Sequence, residues 1–449
     1  MITERIAVIG AGAAGLCIAK HLIQRGHQVT MYEMGSQVGG LWVYENDNGR
    51  SAAYRSLRIN SEARVTGYRD FPIPETASLY PSHTEIREYL NAYADQFGLR
   101  EHIKFVSEVT SVEQGQSPDG TVEWTIGFAS DSRSVKYDRI VIANGHQAMP
   151  VHPSFASSFS GEYLHSRDYR VPEKFAGKRV LVVGTGNSAL DIAADVCSGA
   201  FATAIVARSP VLIMPRMIFG IPLARVLAKV EKPWLPWPVA RRIRELLSTI
   251  VSGRMEKWGL VTPTIRTHPA SHPTVMAQIA WDKIRVRPGI AEVDGRNIRF
   301  VDGTVEEFDV VIAATGYEFD IPFLHDNLSP VVDGRINLYR RVVHPDLPSL
   351  NFVGLFDVSG GANIRMMDIQ SRWLGALVDN EISLPTHDRM LRAIAAEHER
   401  LSELYPHKLR YGLELDPREY GLAIREGLRA TTVPPKKQSA SAPTSKNHR

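Results

Sequence analysis

Cysteine is nearly absent: Cys17 and Cys197 are the only two in 449 residues, and they are far from any C-x-x-C spacing. This excludes a disulfide framework and a vicinal dithiol centre, and with them a pyridine-nucleotide disulfide reductase; it fits a reducing compartment. Charge of one sign is also scarce. The formal net charge is +3, and the clustered positive run lies in a terminal tail, so no nucleic-acid partner is expected. No apolar run reaches the roughly 18 residues of a membrane span, and a strand starting near Glu4 leaves no room for a secretory signal. The expectation is a cytoplasmic protein without an integral span. Metal-ligand patterns are missing too: His268 and His272 have helical spacing, but Pro269 and Pro273 beside them argue for a loop, so no metal site is expected. There is no nucleophile elbow. Residues 431–449, rich in Thr, Pro, Lys, Ser and Ala, are expected to form a disordered tail.

What the chain does have is two strand–glycine–helix units. Glu4 to Gly10 is a short apolar run of the buried parallel type, and Gly10-Ala-Gly12-Ala13-Ala14-Gly15 turns it into an apolar helix. Gly10 permits the turn, Gly12 lets backbone approach a pyrophosphate, and Gly15 allows close helix packing. A second strand, Gln28 to Glu33, ends in an acid about 20 residues beyond the glycines, placed to accept ribose hydroxyls. The second unit runs from Lys178 through Gly184-Thr185-Gly186-Asn187-Ser188-Ala189. Its following strand ends in Arg208 where a carboxylate would select NAD, so a 2′-phosphate is attracted and NADPH is preferred over NADH; the alternative is a solvated surface cation.

Tyr137 to Gly145 and Phe308 to Tyr317 are strand-like and end in small residues, as chain crossings between two nucleotide units would. The expected fold class is α/β with two Rossmann-like dinucleotide-binding domains, the first carrying the NADPH domain as an insertion. The expected boundaries are 1–154 and 321–430 for the discontinuous first domain and 155–320 for the NADPH domain. Thr84 to Gly98 reads as an amphipathic helix, and Val122 to Phe128 as a strand. Residues 210–275 break the alternation with prolines, tryptophans (Pro233-Trp234) and a basic amphipathic helix near Arg241 to Val251. They are read as an insertion: a substrate lid, a helix packed on its own domain, or a membrane-surface contact.

Between the two glycine units stands Phe159-Ser-Gly161-Glu-Tyr-Leu-His165-Ser-Arg-Asp-Tyr169. This F-x-G-x-x-x-H-x-x-x-Y string resembles the fingerprint of the flavin-containing monooxygenases. Gly39-Gly40-Leu41-Trp42 resembles that family's G-G-x-W segment, and Ala314-Thr315-Gly316-Tyr317 its A-T-G-Y motif. The resemblance implies FAD at the first site and NADPH at the second. It also implies a flavin hydroperoxide that oxygenates a small soft nucleophile, an amine or sulfide, with O2 as co-substrate. Asn60, in a segment that resembles the family's flavin-side asparagine, takes the catalytic role; a turn cap is the other reading. Ser61, Val109, Gly354 and Gln370 join the cofactor set on the same ground. His165 taken alone reads as a structural histidine at the hinge.

Alternatives stay open. A Baeyer–Villiger monooxygenase usually has tryptophan where this chain has Tyr169, while 208–290 looks similar to plant indole-pyruvate-decarboxylating members. An NADPH oxidase or redox sensor releasing hydrogen peroxide would keep both nucleotide sites. A homodimer is also left open.

Overall fold

The computed structural model describes residues 3–130, 134–230, 235–268, 270–358, 362–405 and 412–429. The tail expected at 431–449 and the Pro233-Trp234 pair lie outside the described residues.

Two five-stranded parallel sheets organise the chain. The first has the order Leu350–Phe352, Arg139–Ile142, Arg5–Ile9, Gln28–Tyr32, Ile103–Lys104, so it collects strands from both ends of the sequence. Arg5–Ile9 is central, with Val8 opposite Met31 on one side and Val141 on the other. Alternation along that strand explains its apolar composition. Ile6 and Val8 face a core built with the helices Ala13–Ile23 and Asn363–Val378, whereas Ala7 and Ile9 face Val112, Trp124 and Ile126 of an antiparallel three-stranded sheet. Each fully buried isoleucine or valine contributes about 1.5–3 kcal/mol relative to exposure.

The second sheet repeats the plan with Arg285–Arg287, Ala202–Val206, Arg179–Val183, Val310–Ala313 and Glu162–His165. Val180 and Val182 pack on the helix Asn187–Val196, while Leu181 and Val183 meet Ile298, Phe300 and Phe308. The fold is thus α/β with two Rossmann-like units, as the two glycine turns lead one to expect. The helix expected over 84–98 is His83–Gln96, opened by a capping box in which Ser82 and Glu85 exchange hydrogen bonds.

The two segments read as crossings, 137–145 and 308–317, place their strands in different sheets, Arg139–Ile142 in the first and Val310–Ala313 in the second, and the chain leaving each one meets the other. Met149–Pro150 pairs antiparallel with Tyr317–Glu318, Gly316 O accepts from Val151 N at 3.0 Å, and Thr315 Oγ1 donates to Val151 O. Residues 210–275 contain the helices Leu223–Val230 and Trp237–Ser252 and short two-stranded ribbons. The second helix includes the expected basic stretch, and its Leu246 and Ile250 are 60% and 59% exposed.

Candidate functional site

One cavity of about 810 Å³ runs from the first glycine turn to the second. At the first turn, Gly10 has φ +106°, and a Cβ there would lie 2.5 Å from Ala143 O, so only glycine fits. Gly12 and Gly40 face each other: a Cβ on Gly40 would come 3.1 Å from Gly12 Cα. Two backbones meeting with no side chain between them leave the open peptide surface that a pyrophosphate needs. Glu33, 5% exposed, accepts from Ala11 N at 2.8 Å and Gly35 N at 2.9 Å. Burial pushes its carboxyl up from the usual range, against those two backbone bonds. The donor set and the cleared backbone fit an adenine dinucleotide.

Most of the residues selected from sequence line this cavity: Gly10, Gly12, Ala13, Ala14, Glu33, Gly40, Leu41, Trp42, Asn60, Ser61, Val109, Gly186, Asn187, Ser188, Ala189, Gly316 and Gly354. Six do not. Gly15 sits behind the turn, where a Cβ would fall 1.9 Å from Gly10 O, and Gly184 has φ +130° with Ala314 O 2.6 Å from where its Cβ would be. These two shape the turns. Thr185 is half-buried beside Gly184, and Thr315 bonds the crossing strand. Gln370 is fully buried; its Oε1 accepts from Gly354 N at 2.9 Å and its Nε2 donates to Tyr420 Oη at 2.8 Å. It positions Gly354, which does line the cavity. Arg208 is exposed just beyond the Ala202–Val206 strand, its stem over Gly289.

Asn187, expected near the phosphates, also turns its Oδ1 to Ser271 N at 3.0 Å, joining the second turn to the insert. The insert roofs the cavity with Met214, Arg216, Leu223, Ala224, Leu227 and Ser271. It grips the opposite side through Arg225, whose Nε donates to both oxygens of Glu62 at 2.9 and 2.8 Å; Glu62 is 1% exposed.

A polar cluster that sequence reading missed lies beneath this roof. Arg216 Nη2 donates to Asn60 Oδ1 at 2.7 Å and stands 3.6 Å from Asp191 Oδ1. Asp191 also accepts from Tyr54 Oη at 2.7 Å and lies 3.3 Å from His272 Nε2. Burial raises the Asp191 carboxyl to about 6, and burial, then the Arg216 charge, lowers His272 to about 4. In sequence these residues have no fixed spacing to betray them; the only signal is a pair of acids, Asp191 and Asp195, one turn apart in a helix whose other side chains beyond Ser188 are apolar.

The fingerprint residues serve the scaffold. Phe159 is in the core, and a Cβ on Gly161 would meet its ring at 2.6 Å. His165 ends the edge strand of the second sheet, 1% exposed, with Tyr317 and His152 packed edge-on at 5.3 and 5.6 Å. Tyr169 donates to Asp195 at 2.6 Å. Neither His165 nor Tyr169 lines the cavity, in keeping with the structural reading of the histidine.

His268 and His272 go to different carboxylates, Glu414 at 2.6 Å and Asp191. Among the described residues one group could in principle hold a cation: Cys17, His21 and Asp368, all buried, with donor atoms within 4.8 Å. Asp368 lies 351 positions from Cys17, beyond any spacing argument. Its oxygens are taken by Arg372 Nε at 3.1 and 3.2 Å, so the pocket already has its positive charge.

Two dinucleotide turns opening onto one roofed cavity define a two-nucleotide oxidoreductase. The comparisons narrow this. The flavin-binding monooxygenase-like family matches residues 3–420, and the chain belongs to that family. It is 30% identical to flavin-containing monooxygenase 5 of Oryctolagus cuniculus over 433 residues, 93% of this chain and 81% of the relative. It is 29% identical to dimethylaniline monooxygenase [N-oxide-forming] 2 of Rattus norvegicus, over 90% of this chain and 78% of the relative. The solved S-allyl-L-cysteine S-oxygenase of Allium sativum superposes with a TM-score of 0.72 at 25% identity, covering 95% of this chain and 89% of that one. No described helix is long and apolar enough to cross a membrane.

Proposed function

We propose that the protein is an FAD- and NADPH-dependent monooxygenase that transfers one atom of O2 to a small soft nucleophile, an amine or a sulfide. The carrying observation is the single cavity that joins the Gly10–Gly15 turn, Asn60 and the Gly186–Ala189 turn. Relatives named for N-oxide formation and for S-oxygenation support the substrate class. Bound FAD, reduced by NADPH, would supply the activation of dioxygen.

The chain's own residues do the rest. Gly10, Gly12 and the following helix start hold the FAD pyrophosphate, and Glu33 takes the ribose. Gly186, Asn187 and Ser188 hold the second nucleotide, with Arg208 reserved for its 2′-phosphate. Asn60 presents an amide, which exchanges hydrogen bonds without titrating or being oxidised. Leu223, Ala224 and Leu227 of the insert exclude water over the reacting region. In domain terms, 1–154 and 321–430 form the FAD unit and 155–320 the NADPH unit, with 210–275 as a lid.

The test is to reduce the FAD-loaded protein anaerobically with NADPH, mix it with oxygenated buffer, and count hydrogen peroxide and product per NADPH. An amine or sulfide that is oxygenated while peroxide falls supports the reading. Stoichiometric peroxide whatever is added favours an oxidase or sensor, and oxygenation of ketones alone favours the Baeyer–Villiger alternative.

A further inference from the structure

We propose that Arg216 is a positioning residue that sets which end of the Asn60 amide is offered to the cavity. The proposal rests on the reading of Asn60 as the flavin-side amide. An asparagine amide is nearly symmetrical in shape, with an acceptor oxygen and a donor nitrogen that exchange places on a half-turn. A guanidinium has donors only. Because Arg216 Nη2 sits 2.7 Å from the Asn60 amide, the amide must turn its oxygen toward Arg216. The NH2 end is therefore directed away from Arg216, and Asn60, exposed on the cavity wall, can act there as a donor.

Arg216 is built into place. It is 7% exposed, its guanidinium carbon lies 5.6 Å from the Tyr80 ring centroid, and its backbone oxygen accepts from Tyr80 Oη at 2.7 Å. Asp191, fixed by Tyr54, stands 3.6 Å from the same Nη2 and balances its charge. The Arg216 Nε is buried and has no hydrogen-bond partner among the described residues. The three groups come from three places: Asn60 from the loop beside the first sheet, Asp191 from the second glycine helix, Arg216 from the insert. Docking of the insert thus determines the polarity of a side chain belonging to the other half of the molecule.

Three substitutions separate direction from mere packing. Lysine at 216 is donor-only and preserves the orientation; glutamine can donate or accept and leaves the amide free to invert; methionine has no donor and only a weakly accepting sulfur, so it cannot hold the amide oxygen. Arg216→Gln and Arg216→Met are expected to lose about tenfold more of the NADPH electrons to hydrogen peroxide than wild type, and Arg216→Lys to stay within about threefold, the scale of one hydrogen bond. A second readout needs no turnover: the difference spectrum of bound FAD on titration with NADP⁺ should change in the Gln and Met variants and be kept in the Lys variant. Equal behaviour of the folded Lys and Gln variants in both readouts overturns the proposal, and that comparison stands even where the Met variant fails to fold. Asn60→Ala distinguishes the two layers. If it leaves coupling intact, the reading of Asn60 falls and the proposal with it; if it uncouples while Arg216→Gln does not, only the positioning role falls.

Discussion

Tyr169 Oη donates to Asp195 Oδ2 at 2.6 Å, and Ser56 Oγ, from the other half of the molecule, reaches the same oxygen at 2.8 Å. The last residue of the family fingerprint thus fixes the second glycine helix, which also carries Asp191 one turn earlier. A hydrogen bond to a charged acceptor is worth about 1.5–3 kcal/mol. Tyr169→Phe should therefore cost about 1–2 kcal/mol, since Ser56 still serves the carboxylate. Denaturant unfolding would measure it, and an unchanged midpoint would remove Tyr169 from the scaffold.

The two glycines three apart in the first turn should fail differently. A Cβ on Gly15 would lie 1.9 Å from Gly10 O, whereas one on Gly12 would find Gly40 Cα at 3.6 Å, and Gly12 has an extended φ of −80° and ψ of −171°. Gly15→Ala should not fold stably, with a loss above about 3 kcal/mol. Gly12→Ala should fold yet purify with little FAD, because its methyl group occupies the approach of the ligand. Circular dichroism and flavin content check both, and a fully flavinated Gly12→Ala would contradict the placement of the pyrophosphate.

Acid should destabilise the fold through two histidines. Burial, then the neighbouring His152, lowers His165 to about 4, and His272 is lowered to about 4 by burial and Arg216. A histidine depressed from about 6.5 contributes stability that is present above that value and lost as pH falls through 4, on the order of 3 kcal/mol each. Asp191, raised to about 6 by burial, acts in the opposite sense and offsets part of the loss. The thermal midpoint should still fall between pH 6.5 and 4, and His272→Asn should remove most of the fall, because the Asp191 contribution then offsets the one remaining histidine. A wild-type profile flat over that range would argue that both histidines are protonated in the fold.

Arg208→Ala should weaken NADPH binding by about 1–3 kcal/mol and NADH binding far less, as expected for one charge-assisted contact to a 2′-phosphate. Equilibrium titration with each cofactor separates the cases. Equal losses would return Arg208 to the solvated cation that its exposed position also allows.

Local features of the fold were legible where the chemistry is local. The glycine turns, the acid at 33, the capped helix after Ser82 and the crossings near 145 and 315 all follow from residues adjacent in sequence. Asn60, Asp191 and Arg216 meet only through tertiary packing: 156 positions separate Asn60 from Arg216, and no periodicity reports such a contact. Gln370 shows the opposite limit. Motif similarity placed it at the cofactor site, and the structure puts it one layer behind, acting through Gly354. His165 illustrates a third case, a motif residue whose burial and partners concern the sheet edge and not the cavity.

The antiparallel pairing of Met149–Pro150 with Tyr317–Glu318 also brings the two ends of the segment 151–316 next to each other. Partners in such a ladder lie about 5 Å apart, so a turn of a few residues could join Pro150 to Tyr317 and remove everything in between. The first sheet would lose none of its five strands, since all of them lie outside that interval. A protein shortened in this way should keep its first glycine turn intact, whereas the excised segment would lose Tyr54 from its core and the Tyr54 and Ser56 hydrogen bonds to Asp191 and Asp195.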